Sequence, residues 1–140
     1  MKFIPYLTFE GNAEEALNFY EVVLGGKIQT LMRYSEMPEE EEAPPLSDEL
    51  KNKVLHAALN IGGQLLYLSD AFPGMPVNKG DNIAINIEPE SEEELRRIFE
   101  ELVVEGTVDM PVEYMFWGSL FASLVDKFGI RWNLDFELKK

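Results

Sequence analysis

The 140-residue chain contains no cysteine, which excludes disulfides, thiolate nucleophiles and zinc sites built on sulfur. Histidine is nearly as scarce: His56 stands alone, with no Ser-His-Asp or metal-ligand spacing around it. Basic residues are few, 12 against 26 acidic, and the net charge of −14 makes nucleic-acid backbones and anionic membranes poor partners, because both bind clustered Lys and Arg. No apolar run approaches the length that crosses a bilayer, and the opening Met1-Lys2-Phe3-Ile4-Pro5-Tyr6 is too short for a signal peptide. A cytoplasmic location is therefore expected, with the acidity read as a solubility property. What the chain does have is 46% hydrophobic residues, enough for one sizeable core, and a single domain over residues 1–140 is expected.

The core-forming residues fall into two copies of one grammar. Residues 3–9 are apolar and aromatic and end at Glu10-Gly11, so they read as a strand. Asn12 and Glu15 are spaced as a capping box, and Ala13, Ala16, Leu17, Tyr20 and Leu24 recur at helical spacing before Gly25-Gly26 ends the helix. The second copy starts with a strand over 83–87. A capping box of Ser91 and Glu94 follows, 79 residues after Asn12, then a helix with Leu95, Ile98, Phe99 and Leu102 on its apolar face. Three more strands are expected after each helix: 27–34, 54–61 and 64–69 in the first half, and 107–112, 120–126 and 130–136 in the second.

Module 1 thus covers about residues 1–71 and module 2 about 81–140. Between strands of the first module, residues 36–52 carry Pro38, four consecutive glutamates and Pro44-Pro45, which predicts an exposed loop. One helix covers one face of a sheet, so each module keeps a second face that must be used otherwise. Along Asn82-Ile83-Ala84-Ile85-Asn86-Ile87 the isoleucines alternate with small and polar residues. The isoleucine face is expected against the helices and the asparagine face on the concave side.

Several motifs together resemble the PhnB-like branch of the vicinal-oxygen-chelate superfamily, which also holds glyoxalase, bleomycin-resistance proteins and extradiol dioxygenases. They are Pro5-Tyr6-Leu7 with Phe9, Gly11-Asn12, Glu15-Ala16, Phe19-Tyr20 and Leu24-Gly25-Gly26, then His56-Ala57 and Ile61-Gly62. Met110-Pro111, Phe116-Trp117-Gly118 and Asp126-Lys127-Phe128-Gly129-Ile130-Arg131-Trp132 complete the set. The resemblance implies an α+β fold of two βαβββ modules forming a curved mixed sheet around a cup. It also implies a small-molecule ligand and a homodimer. Some relatives carry a demethylubiquinone methyltransferase label, yet the chain has no glycine-rich strand-to-helix turn suited to S-adenosylmethionine. Metal-dependent members place His, Glu or Gln where Pro5, Tyr67, Asn82 and Asn133 fall in this sequence. Proline, a neutral phenol and two amides are poor ligands for a transition metal, so no metal and no cofactor is expected.

The remaining polar and aromatic residues are the candidate site. His56 is either a general base or substrate contact, or a structural histidine satisfied by a neighbour. Asn60, Tyr67, Asn82, Asn86, Ser123 and Asn133 are expected to line the ligand face with neutral donors and acceptors. Trp117, beside Phe116 and Tyr114, either stacks on a planar ligand or completes a core or subunit contact. Arg131 is either an anion contact or an exposed strand-end residue. The leading reading is a PhnB-like small-molecule-binding protein. The alternatives are a metal-dependent glyoxalase or dioxygenase and a non-catalytic antibiotic-sequestering protein.

Overall fold

A computed structural model describes residues 1–38 and 45–138. The chain forms two compact units, Met1–Asn78 and Lys79–Lys140. The first contains β1 (Tyr6–Phe9), α1 (Ala13–Leu24), β2 (Lys27–Arg33), β3 (Val54–Ile61) and β4 (Gln64–Asp70), with a short α2 (Asp48–Lys51) between β2 and β3. The second contains β5 (Ile85–Ile87), α3 (Glu92–Leu102), β6 (Thr107–Tyr114), β7 (Ser119–Val125) and β8 (Arg131–Glu137). Each is a strand-helix-three-strand module.

The two sheets repeat one topology. Their strand orders are β1-β4-β3-β2 and β5-β8-β7-β6, with the first strand parallel to the last and the other pairs antiparallel. The helix supplies the crossover that a parallel pairing needs.

In module 1, α1 buries Ala13, Ala16, Leu17, Tyr20 and Val23 together with Ala57, Leu59, Leu66, Leu68 and Phe9 of the sheet. Val23 joins the expected apolar face, and Leu24 lies at its margin. In module 2, Leu95, Ile98 and Leu102 share the core with Leu120, Ala122, Leu124, Trp132 and Leu134. Each fully buried leucine contributes about 1.5–3 kcal/mol of apolar transfer.

Three expectations need correction. The first strand begins at Tyr6 rather than residue 3: Pro5 has no amide for the ladder, and Phe3 is left exposed. Asn12 makes no side-chain capping bond. Instead Asp70, arriving at the end of β4, accepts from the amides of Gly11 and Ala13 at 2.9 Å through one oxygen, and from that of Val54 at 2.9 Å through the other. A side chain distant in sequence has taken over the cap. Third, residues 36–52 are not loop throughout. Ser47 accepts from the Leu50 amide and starts α2, and Leu50 is buried; residues 39–44 lie outside the described residues. The Ser91 cap is as expected, accepting from Glu94 N at 3.1 Å.

Candidate functional site

Strand alternation decides which side chains leave the core. Ala57 and Leu59 of β3 and Leu66 and Leu68 of β4 are buried toward α1, so His56, Asn60, Leu65 and Tyr67 stand on the opposite face, with Ala58 and Ser69 of the same face themselves buried. The cross-strand register then brings Tyr6 beside Tyr67, Tyr67 beside Ala58, and Met32 beside His56. Three rings meet there. His56 and Tyr67 have centroids 4.8 Å apart at 75°, Tyr6 and Tyr67 5.9 Å apart at 83°, and Tyr6 and His56 5.8 Å apart. Edge-to-face packing of this kind holds ring orientations.

The Tyr6 hydroxyl stands 3.4 Å from His56 Nδ1. That is a long contact, at the limit of a hydrogen bond. It gives the imidazole a neighbour that can donate or accept, according to the tautomer. Asn60 is already engaged: its amide nitrogen donates to Gln29 Oε1 at 3.1 Å, and its oxygen accepts from Gly63 N at 2.8 Å. It therefore builds the β3–β4 turn.

Module 2 presents a second polar row. Asn86 pairs with Asn133 across β5 and β8, and Asn133 pairs with Ser123 across β8 and β7. Their neighbours Trp132, Leu134, Ala122 and Leu124 are buried toward α3, so these three expected site residues share one face. Asn82 does not join them. It sits in an exposed bend before β5, which starts at Ile85, and Ile83 is exposed beside it. Trp117 lies on the β6–β7 turn, 54% exposed, with its ring 6.0 Å from Phe121 and 5.2 Å from Phe116. Arg131 opens β8 and pairs with Asp109 at 2.9 Å near the surface, in keeping with a strand-end arginine, and the ion pair occupies the guanidinium that an anion contact would need.

Two residues on these faces escaped the sequence reading. Tyr6 could have been found from its alternation with Leu7 and Phe9. Asp135, opposite Phe121 in the register, could have been found likewise from its alternation with Trp132 and Leu134 beside Asn133.

Two clefts of module 1 lie elsewhere. One of about 500 Å³ is lined by Glu10, Glu49, Leu50, Lys53, Phe72 and Met75, and another of about 630 Å³ by Glu14, Arg33, Asn52 and Lys53. Neither includes an expected site residue. The second holds a forked ion pair, Arg33 to Glu14 at 2.9 and 2.8 Å, and that hydrogen-bonded guanidinium lowers the Glu14 pKa below the usual carboxylate value.

The four positions that hold the metal in metal-dependent relatives are scattered among unlike surroundings. Pro5 precedes β1, Tyr67 is held among aromatic rings, Asn82 is in the exposed bend and Asn133 lies in the amide row. Among the described residues, no group of three or more His, Cys, Asp or Glu is placed to hold a metal ion. The donor set does not fit the transition metals of metal-dependent relatives.

Residues 1–135 match the family described as 3-demethylubiquinone-9 3-methyltransferase. The chain belongs to that family. It is 31% identical to protein PA1353 from Pseudomonas aeruginosa, covering 99% of each chain with a TM-score of 0.86. The PhnB protein from Bacillus cereus is 28% identical over 97% of this chain and 99% of its own, with a TM-score of 0.79. Protein YjdN from Escherichia coli K12 is 28% identical, covering 96% of this chain and 95% of its own. FosX from Listeria monocytogenes, a vicinal-oxygen-chelate protein, shares the fold at a TM-score of 0.65 and 9% identity, over 97% of this chain and 92% of its own. This PhnB-like chain therefore has the glyoxalase/bleomycin-resistance fold. No helix among the described residues is long and apolar enough to cross a membrane.

Proposed function

We propose that this PhnB-like chain is a single domain over residues 1–140 that binds a small organic molecule on a helix-free sheet face, each module presenting one of its own. The observation that carries this reading is the Tyr6–His56–Tyr67 cluster: a titratable ring between two phenols, set on a sheet face that α1 does not cover. Polar rings at fixed orientation hold a ligand by stacking and directed hydrogen bonds. Module 2 by itself presents the neutral partners Asn86, Ser123 and Asn133, with Trp117 as a flat surface.

The methyl transfer in the family description requires S-adenosylmethionine, and the residues here do not fit it. In the β1–α1 turn, Asp70 already takes the amides of Gly11 and Ala13. The β5–α3 turn reads Glu88-Pro89-Glu90-Ser91 and leads into Glu92, Glu93 and Glu94. Neither offers a glycine-rich cradle.

A catalytic reading is favoured by one contact. His56, with the Tyr6 hydroxyl near Nδ1, could move a proton at its other ring nitrogen on a bound substrate. A sequestering protein would show binding without turnover, and a metal-dependent enzyme would need ligands from outside the four family positions.

A thermal-shift screen against metabolites and antibiotics tests the proposal. A binder should raise the melting temperature of the wild type and do so less for His56→Ala and Tyr67→Ala. Hits that stabilise all three proteins equally would contradict it.

A further inference from the structure

The ring cluster of module 1 decides where the protons of its face lie. The Tyr6 hydroxyl meets His56 Nδ1 at 3.4 Å. A phenol is a stronger donor than an imidazole N–H and a poorer acceptor than an imidazole nitrogen, so the hydroxyl donates and Nδ1 accepts. The hydrogen of the neutral ring then sits on Nε2. The contact is long, and the edge-to-face packing of Tyr67 on the imidazole, at 4.8 Å and 75°, holds the ring plane beside it.

Two donors are left over on the same face. Among the described residues, neither His56 Nε2 nor the Tyr67 hydroxyl has a hydrogen-bond partner. Both side chains are half-buried, yet neither atom is one of the buried polar atoms sealed without a partner, so both can be reached from solvent. The only carboxylate in the four strands of this sheet is Asp70, and it is turned to the amides at the starts of α1 and β3. In a chain with 26 acidic residues, this face therefore meets an anion with donors and with no carboxylate from its strands.

From this we infer that the helix-free face of module 1 recognises an organic carboxylate with a flat body, an aryl carboxylate. Its oxygens accept from His56 Nε2–H and from the Tyr67 hydroxyl, and Tyr6 is a positioning residue that keeps Nε2 a donor. Two donors suit the two oxygens of a carboxylate, and bonds to an ionised acceptor are the stronger kind. The flat body finds apolar surface at Met32, which lies across the β2–β3 register from His56 and is 39% exposed. This deepens the small-molecule reading and rests on it.

The probe is 2-naphthoate, with 2-naphthylmethylamine as its cationic counterpart, titrated into the full chain and followed by amide and imidazole nitrogen chemical shifts. Naphthoate should bind about tenfold tighter than the amine or better, with shifts centred on His56 and Tyr67. Tyr67→Phe should weaken naphthoate about tenfold, leave the amine unchanged and melt no lower than the wild type, because it removes a hydroxyl that no described residue satisfies. In alkaline buffer without ligand, the wild-type imidazole should carry its hydrogen on Nε2, and Tyr6→Phe should move the Nδ1 resonance, a change that a merely packing role for Tyr6 would not cause. The inference is overturned by equal binding of the two compounds, by no binding of naphthoate, by wild-type affinity in Tyr67→Phe, or by imidazole resonances that Tyr6→Phe leaves in place. If compounds without an oxygen acceptor perturb His56 and Tyr67 while naphthoate does not, only this inference fails. If no compound in a broad library binds, the underlying reading fails as well.

Discussion

At the scale of single residues, Asp70 shows how much one side chain can organise. Its carboxylate accepts from the amides of Gly11, Ala13 and Val54, and its backbone carbonyl accepts from the buried Tyr34 hydroxyl at 2.6 Å. One residue thus ties the start of α1 to the start of β3 and the end of β4. Removing it strands three amides at once, so Asp70→Ala is expected to cost about 3 kcal/mol or more. Asp70→Asn, which keeps one acceptor oxygen, should lose less. Urea unfolding of the two variants checks this, and equal losses would show that the acceptor geometry is not what matters. The sequence did not disclose this role, because 57 residues separate Asp70 from Ala13 and no local pattern links them. His56, Tyr67, Asn86, Ser123 and Asn133 were legible as residues facing away from the helices, since β alternation depends on near neighbours alone.

At the scale of elements, both helices, β3 and the repeated strand order could be read from periodicity, and the errors gathered at the ends. Strand β5 is two residues shorter than its pattern allowed, which removes Asn82 from the face that Asn86 occupies. The helix starts diverge for a physical reason. Ser91 has extended backbone and accepts from Glu94 N, whereas Asn12, at φ −115° and ψ 24°, makes no side-chain cap. Ser91→Ala should therefore cost about 1 kcal/mol, and Asn12→Ala less than about 0.5 kcal/mol. Chemical denaturation of the two single variants decides it. Similar losses would mean that Asn12 caps α1 after all. The short α2 escaped the reading because charge and proline dominate residues 36–52, while its evidence, Ser47 and the buried Leu50, is confined to a few positions.

At the scale of the whole molecule, the family was legible from the order and spacing of its motifs, whereas the ligand was not, because a fold hosts many activities and specificity rests on a few side chains. A homodimer is the expected assembly. Tyr114 and Phe116 are exposed at 61% and 98%, at the end of edge strand β6 and in the turn after it, and such aromatic surface favours a subunit contact. Sedimentation equilibrium at moderate salt should give about twice the 16.0 kDa chain mass, and a Phe116→Glu variant should give a monomer. A wild-type monomer under the same conditions would remove that assembly. The central claim is that ligand lies on the helix-free sheet faces, and amide and histidine chemical-shift mapping with a hit from the thermal-shift screen tests it most directly. Shifts are expected at His56 and Tyr67 for a ligand on module 1, or at Ser123 and Asn133 for one on module 2, while α1 and α3 stay unperturbed. Shifts confined to the helices, or to the cleft around Lys53 and Phe72, would contradict it.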